Sequence, residues 1–435
     1  MSIPVITVGQ SREDLVGGLE RLHGPVTVVR RCTELPELLA ACQSGLARAA
    51  VVAEGSEGLT SSLVDRLSAV GVAIVALTDN PDEAARLRAI GVASALTGVD
   101  SAALSDSIAE AVTQLTGSGP RDVPRSGPAD PGAALKPVPA LPPAGPEEPG
   151  RGRIIAVWGP AGAPGRTTVA ANIAGELAAD GKEVVLVDAD SYGASIAAVL
   201  GLLDESAGLA QACRLADQGL LDREALEKVA APVATKSGTF RVLTGITRAD
   251  RWTELRASAL ALVLERARQI ADVVVVDAGF CLEADEELSF DTMAPRRNAA
   301  TLRSLELADT VFAVGAADPV GVPRLVRGLA ELEEAVPQAS PIVVMNRVRA
   351  SSVGRSPERQ LRDAWERFGP VSELKGFLPH DAAAADAALL GGSLLLEAAP
   401  DSPLRHAIRD LVCASAQQTR KSSVFSSTAR RGAKD

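Results

Sequence analysis

The stretch Arg153–Thr168, with the sequence RIIAVWGPAGAPGRTT, constrains the fold more than any other part of this chain. Its apolar run Ile154–Trp158 predicts a buried strand, the Gly, Pro and Ala residues that follow predict a tight loop, and a small-residue helix begins at Thr167. This order of elements directs backbone N–H groups and the positive end of a helix dipole at one point. Such a point is suited to bind an anion, for example the phosphates of a nucleotide.

The side chains of the loop add to this prediction without deciding it. Gly165 permits close approach of a ligand to the backbone, Arg166 supplies a positive charge, and the Thr167 hydroxyl is a ligand that Mg²⁺ accepts. The phosphate-binding pattern G-x-x-x-x-G-K-[ST] has Lys where Arg166 stands and Gly where Pro160 stands. The loop alone therefore leaves two alternatives, a nucleotide site and an ordinary strand–turn–helix corner.

Two further apolar runs end in carboxylates. EVVLVDAD predicts a strand followed by Asp188 and Asp190, and ADVVVVDAG predicts one that ends at Asp277. A single Asp after a strand is often only a helix cap. Because an open α/β sheet binds its ligand at the carboxyl ends of its strands, three such residues together favour a nucleotide site with Mg²⁺.

Length and charge restrict the alternatives. A chain of 435 residues is expected to form two or more domains. The formal net charge of -11 argues against a mainly electrostatic binder of nucleic acid or of an anionic membrane. The five cysteines are scattered, without a C-x-x-C spacing, which is typical of a reducing compartment. Without a signal-type N-terminus or a membrane-length apolar run, we expect a cytoplasmic protein whose membrane contact, if any, is peripheral.

The pattern along the chain predicts two folded domains, a linker and a tail. Residues 1–116 repeat a βα pattern, residues 117–151 are rich in Pro, Gly and charge and predict a semi-extended linker, residues 152–416 again alternate strands and helices, and residues 417–435 predict a disordered basic tail. Each folded domain is predicted to be α/β, with a mostly parallel, doubly wound sheet.

The first domain resembles a response-regulator receiver domain in the order and number of its predicted elements. Its strands are predicted at Pro4–Val8, Val26–Val29, Ala49–Ala53, Val72–Leu77 and Ala93–Leu96, with helices such as Arg12–Leu22, Leu35–Ser44 and Pro81–Ile90. A receiver needs acidic residues after its first and third strands and a Lys after the fifth. Here Gly9, Glu54 and Thr97 follow those strands, and residues 1–116 contain no Lys. We therefore expect a flavodoxin/CheY-like pseudo-receiver that serves docking or dimerisation.

The second domain is predicted to continue its sheet beyond the three strands already named. Further strands are predicted at Arg241–Leu243, Thr310–Val314, Pro341–Met345 and Leu374–Leu378, and connecting helices at Asp250–Gln269, Val322–Glu334 and Ser356–Phe368.

This domain resembles the MinD/ParA class of deviant P-loop ATPases, and with its receiver-like N-terminal domain the chain is similar to the CpaE/TadZ-like branch. The family loop K-G-G-x-G-K-[ST]-[ST] corresponds to Ala161–Thr168, so that its first Lys falls on Ala161 and its second on Arg166. VDAD resembles switch I, VVVVDAGF resembles the Walker B strand, VVMNRV resembles the strand before the base, and LPHD resembles the C-terminal loop.

The resemblance implies a site for ATP or ADP with Mg²⁺. The implied nucleotide-binding residues are Gly162, Gly165, Arg166, Thr167, Thr168, Asn346, Pro379 and Asp381. Thr167, Asp188 and Asp277 would surround the metal, and Asp190 would orient the attacking water. Each of the last positions also has a simpler interpretation, since Asn346 could begin a turn and Asp381 could cap a helix.

The resemblance also implies what the protein does. We expect a nucleotide-linked homodimer that positions a division septum, a Tad-type pilus or a secretion machine through protein partners, recruited to a membrane, pole or septum. Hydrolysis is expected to be slow because Arg166 replaces Lys, Pro164 lacks an N–H and Ala161 supplies no cation. A nucleotide-independent scaffold is the alternative. A DNA-segregation ATPase would need a basic surface, and Arg296, Arg297, Arg303, Arg324 and Arg327 are better explained as solvated helix faces.

Overall fold

The computed structural model describes residues 2–9, 18–19, 25–117, 151–202, 206–283 and 296–412. The predicted tail, nearly all of the predicted linker and most of the predicted helix Arg12–Leu22 lie outside the described residues. The chain divides into two compact units, Met1–Arg151 with Asp217–Leu220, and Gly152–Ala216 with Leu221–Asp435. In the described ranges no helix has the length and apolarity needed to cross a membrane.

The first unit contains a five-stranded parallel sheet. Its strands are β1 (Ile3–Val8), β2 (Val26–Cys32), β3 (Ala49–Val52), β4 (Ala73–Leu77) and β5 (Ala93–Ala95). The helices of this part of the chain are α1 (Leu35–Gln43), α2 (Ser61–Ala69), α3 (Pro81–Ala89) and α4 (Ser101–Gly117), with a 3₁₀ turn at Ser56–Gly58. The strand order β2-β1-β3-β4-β5 is the doubly wound, flavodoxin-like order that the sequence predicts.

At the carboxyl edge of this first sheet, the positions that a receiver would use have other contacts. A Cβ built on Gly9 would lie 2.7 Å from Cβ of Glu54, so the loops after β1 and β3 pack closely only because Gly9 lacks a side chain. The amide of Thr97 donates to Oδ1 of Asp79 at 3.0 Å. A receiver-like role for this unit stays a prediction.

The second unit is built on an eight-stranded sheet. Its strands are β6 (Arg153–Trp158), β7 (Val184–Ala189), β8 (Ala231–Thr235), β9 (Gly238–Leu243), β10 (Val273–Ala278), β11 (Thr310–Ala316), β12 (Pro341–Val348) and β13 (Leu374–Pro379). They lie in the order β13-β12-β11-β6-β10-β7-β9-β8, and all neighbours are parallel except the hairpin β8–β9. The strands predicted from the sequence are confirmed with small shifts at their ends.

Helices cover both faces of this sheet. They are α5 (Arg166–Ala179), α6 (Ile196–Val199), α7 (Gly208–Asp217), α8 (Arg223–Val229), α9 (Ala257–Ile270), α10 (Ala299–Leu307), α11 (Gly321–Ala335), α12 (Ala350–Val353), α13 (Pro357–Phe368), α14 (Ala382–Leu390) and α15 (Leu395–Ala398), and residues 403–412 are also helical. Along β10, Val273 and Val275 pack with α5, whereas Val274 and Val276 pack with α9. The alternation along one strand therefore supplies two separate cores.

Two details differ from the predictions. The predicted helix Asp250–Gln269 is a 3₁₀ turn, Ala249–Glu254, followed by α9, because the chain becomes extended at Arg256 while Leu255 is buried. The edge strand β8 was not predicted. Its residues alternate between half-buried and exposed, so β8 lacks the continuous apolar run that marks the central strands.

Candidate functional site

The loop between β6 and α5 forms the corner that the sequence predicts. Gly165 precedes the first residue of α5 with φ +99°, and Gly162 has φ +111°, both in the region that favours glycine. A Cβ on Gly165 would lie 2.4 Å from Nδ2 of Asn346, so glycine is also required by the close approach of β12. No side chain caps α5, which leaves the amides of its first turn directed at the loop.

Helix α5 itself is placed by burial on all sides. Every residue from Val169 to Ala178 is buried, which is typical of a helix that crosses the interior of a domain. Its polar residues are paired: Oδ1 of Asn172 accepts from the amide of Leu395 at 2.8 Å, and Glu176 forms an ion pair with Arg405 at 2.7 Å. The start of α5 is therefore held firmly under the loop.

Asp277 lies at the carboxyl end of the central strand β10, in register with Val157 of β6 and Asp188 of β7. It is 1% exposed, and neither of its carboxylate oxygens has a regular hydrogen-bond partner among the described residues. Burial raises the pKa of Asp277 well above its ordinary value, and the charge of Asp188 raises it further. The neighbouring Thr167 hydroxyl and the Arg166 guanidinium lower this pKa in part. Apart from the neighbouring Thr167 hydroxyl, this buried carboxylate has no hydrogen-bond donor among the described residues, and it therefore calls for a cation or a proton.

Asp188, by contrast, is well bonded. One of its oxygens accepts from the amides of Ser195 at 2.9 Å and Ile196 at 3.0 Å, at the start of α6. Burial raises the pKa of Asp188 to about 6, against the lowering effect of these backbone hydrogen bonds. Asp188 therefore accepts hydrogen bonds at the start of α6, as a capping residue does. It also lies beside Asp277 on the neighbouring strand.

Asp190 and Arg166 form a largely buried ion pair. Nη2 of Arg166 lies 3.1 Å from Oδ2 of Asp190, and Nη1 donates to the carbonyl of Gly159 at 3.0 Å and more weakly to that of Pro160 at 3.4 Å. The other oxygen of Asp190 accepts from the amides of Tyr192 and Gly193. Arg166 therefore ties the loop to the segment after β7.

The segment after β7 is also bonded to the segment after β10. Ser191 and Arg297 exchange hydrogen bonds, with the Ser191 hydroxyl donating to the Arg297 carbonyl at 3.2 Å and the Arg297 guanidinium donating to the Ser191 carbonyl at 3.3 Å. The Arg297 guanidinium lies 3.8 Å from the centre of the Tyr192 ring, whose hydroxyl bonds to Asn298. The expectation that Arg297 is a solvated helix face is wrong, because Arg297 is half-buried against this loop.

The residues predicted to border a base are only partly brought to the corner. Nδ2 of Asn346 donates to the carbonyl of Pro164 in the loop at 2.7 Å. Asp381 accepts from the amide of Ala384 at 3.1 Å, as a cap of α14. Pro379 lines a cavity of about 360 Å³ whose lining, among the described residues, includes no residue of the loop after β6. The other lining residues are Val348, Glu358, Phe377, Pro403, His406, Ala407 and Asp410. The capping interpretation of Asp381 is thus present in the structure, and roles of Pro379 and Asp381 at a nucleotide stay predictions.

The residues at this corner fit a magnesium–phosphate group better than a metal bound by protein alone. Within the described residues there is no group of three or more His, Cys, Asp and Glu side chains placed to hold a metal ion. Asp277 nevertheless offers two unpartnered oxygens beside Thr167 and the start of α5. One carboxylate and one hydroxyl are the usual protein share of a Mg²⁺ site that waters and substrate phosphates complete.

Sequence comparison points to the same corner. Residues 151–219 match the ParA family model, described as NUBPL iron-transfer P-loop NTPase. The matched residues include β6, the loop that follows it, α5 and β7. No curated protein matches the chain.

Several solved structures are similar to this chain over about 60% of its length. The cell division ATPase MinD of Pyrococcus furiosus has 21% identity and a TM-score of 0.48, over 61% of this chain and 99% of that one. A ParA family ATPase from Chlorobium tepidum TLS has 20% identity and a TM-score of 0.49, over 60% and 98%. The septum site-determining protein MinD of Pyrococcus horikoshii OT3, complexed with Mg-ADP, has 19% identity and a TM-score of 0.45, over 60% and 93%.

Proposed function

We propose that the second domain binds ATP or ADP with Mg²⁺ and that the nucleotide state controls homodimerisation. By nucleotide-controlled homodimerisation the protein would position a septum, a Tad-type pilus or a secretion machine, as MinD/CpaE proteins do. The observation that carries the proposal is the bare carboxylate of Asp277 beside Thr167 and the uncapped start of α5. The first domain, as a pseudo-receiver, would bind the protein partners.

The roles of the residues follow from their contacts. The amides from Gly162 to Thr168 would hold the phosphates, with the exception of Pro164, which has no N–H. Thr167 and Asp277 would hold Mg²⁺, which when bound neutralises charge on the phosphates. Asp188 would support the metal site from the second strand while it caps α6. Asn346 would position the loop from β12.

Slow hydrolysis is part of the proposal. Both oxygens of Asp190 are already bonded, one to Arg166 and the other to two backbone amides. To orient a water, Asp190 would have to exchange one of these partners, and Arg166 would have to leave two loop carbonyls to reach a phosphate. Because catalysis of phosphoryl transfer is mainly positioning and charge stabilisation, such rearrangements slow it.

A second candidate function has its own support. Both terminal nitrogens of Arg166 already have partners in the protein, and only its buried Nε lacks one among the described residues. This observation favours a nucleotide-independent scaffold, in which the ion pair only braces the loop against the segment after β7.

Binding and assembly measurements separate the two functions. We expect calorimetry of the full chain to show affinity for MgATP and MgADP that falls when Mg²⁺ is removed. In Asp277→Ala the affinity should no longer respond to Mg²⁺, whereas Asp401→Ala serves as a control that loses one exposed carboxyl group. Sedimentation should show a nucleotide-dependent change in mass. Absence of affinity for either nucleotide in the wild-type chain leaves the scaffold as the function.

A further inference from the structure

A cation outside the predicted set lies over the phosphate-binding loop. Arg324, in the first turn of α11, is exposed, yet its Nη1 would lie only 2.6 Å from a Cβ built on Gly162. The absence of a side chain at Gly162 is therefore what lets the guanidinium rest on the loop. No motif of the sequence associates position 324 with this loop.

Arg324 and the loop enclose a small cavity. Its volume is about 80 Å³, and its lining includes Pro160, Gly162 and Pro164 of the loop together with Asp318, Gly321 and Arg324. The start of α11 forms one wall and the loop forms the other. The Arg324 guanidinium supplies a positive charge to this space, and the Asp318 carboxylate, which accepts from the first amides of α11, supplies a negative one.

The charges around this cavity leave Arg324 available. Arg166 donates from both terminal nitrogens, to Asp190 and to the loop carbonyls. Oδ1 of Asp318 accepts from the amides of Val320 and Gly321. In the part of the chain that the structure describes, the Arg324 guanidinium has no ion-pair or hydrogen-bond partner.

We propose that Arg324, rather than Arg166, is the side chain that first pairs with a phosphate of the nucleotide at this loop. The inference rests on the proposed function and adds to it a phosphate-binding residue supplied by α11 of the same chain. Arg166 then acts as the brace between the loop and Asp190. An exposed guanidinium with free terminal donors reaches a phosphate without first breaking an ion pair, whereas Arg166, whose free donor is only the buried Nε, would have to release Asp190 or the loop carbonyls to offer its terminal nitrogens.

The test compares Arg324→Ala with Arg327→Ala, its matched control. Arg327 is also exposed and lies one turn further along the same helix, so both variants lose one charge and neither opens the core. Affinities of the full chain for MgATP, MgADP and magnesium tripolyphosphate are measured by calorimetry. We expect about a tenfold loss for Arg324→Ala, in line with one charge-assisted hydrogen bond, and less than twofold for Arg327→Ala.

The outcomes separate this inference from the function on which it rests. Partial recovery of affinity in Arg324→Lys, and a smaller salt dependence in Arg324→Ala, would support direct pairing with phosphate. Wild-type binding with equal affinities for the two alanine variants would overturn the assignment of Arg324 and leave the proposed function intact. Failure of the wild-type chain to bind any of the three probes would overturn both.

Discussion

Replacement of Asp277 by Asn tests the electrostatics of the corner without any ligand. The side chains have nearly the same shape, but Asn carries no charge at any pH. Asp277 is 1% exposed and its oxygens lack regular partners, so ionising it in the folded protein is unfavourable. Ionised Asp277 therefore destabilises the folded wild type at high pH, and this destabilisation is absent in Asp277→Asn.

The sign and size of the effect follow from the raised pKa of Asp277. Above its ordinary value of 3.8 the unfolded chain has lost this proton, whereas the folded chain retains it until the pH reaches the raised pKa. Wild-type stability through this group therefore falls as pH rises through that window. Between pH 3.8 and the raised pKa, the unfolding free energy of Asp277→Asn minus that of the wild type should increase by about 1.4 kcal/mol per pH unit. Above the raised pKa this difference should stay constant.

Tryptophan fluorescence provides an assay confined to the second unit. Trp158, Trp252 and Trp365 are the three tryptophans of the chain, and all lie in that unit. Urea unfolding at a series of pH values gives the difference between wild type and Asp277→Asn, with the exposed Asp401→Asn as the control. The electrostatic reasoning would be refuted if this difference did not change with pH, or if the wild type became more stable relative to the variant as pH rises.

Three further predictions concern packing. Glu176→Ala should lower the unfolding free energy by about 2 to 3 kcal/mol, because its ion-pair partner Arg405 is only 19% exposed. The control Glu227→Ala should lower it by less than about 0.5 kcal/mol, because the arginine partner of Glu227 is 71% exposed. Gly165→Ala should cost about 1 to 2 kcal/mol more than Gly181→Ala, since both have positive φ but only Gly165 faces a neighbouring side-chain amide; urea titration measures both pairs. Burial raises the pKa of the Cys42 thiol to about 11, so a thiol reagent at pH 8 should label it, by mass spectrometry, only as the first unit opens, and labelling of the native fold at the rate of a free thiol would contradict this.

The central strands of both sheets could be predicted because their signal is local. Each is a short run of β-branched and apolar residues bounded by Gly, Pro or Asp, and β7 and β10 are buried at every position. The edge strand β8 and the break at Leu255 could not be predicted in this way. Their conformation depends on what packs beside them, which the local pattern does not contain.

The gathering of Asp188, Asp190 and Asp277 near Arg166 follows from the sequence by one rule, that the carboxyl ends of parallel strands share an edge. That rule gives position but not bonding. The bare state of Asp277 and the bonded state of Asp188 differ because α6 begins beside one carboxylate and not the other.

The two α/β sheets, the corner at Arg153–Thr168 and the acidic ends of the neighbouring strands could be predicted from the amino-acid sequence, since each depends on residues close together in the chain. The contacts of the two arginines at this corner are visible only in the tertiary structure. Arg166 is held by Asp190, and Arg324 reaches the loop over Gly162 from far along the chain. Charge pairing is settled by distance in space, and a linear pattern does not contain that distance.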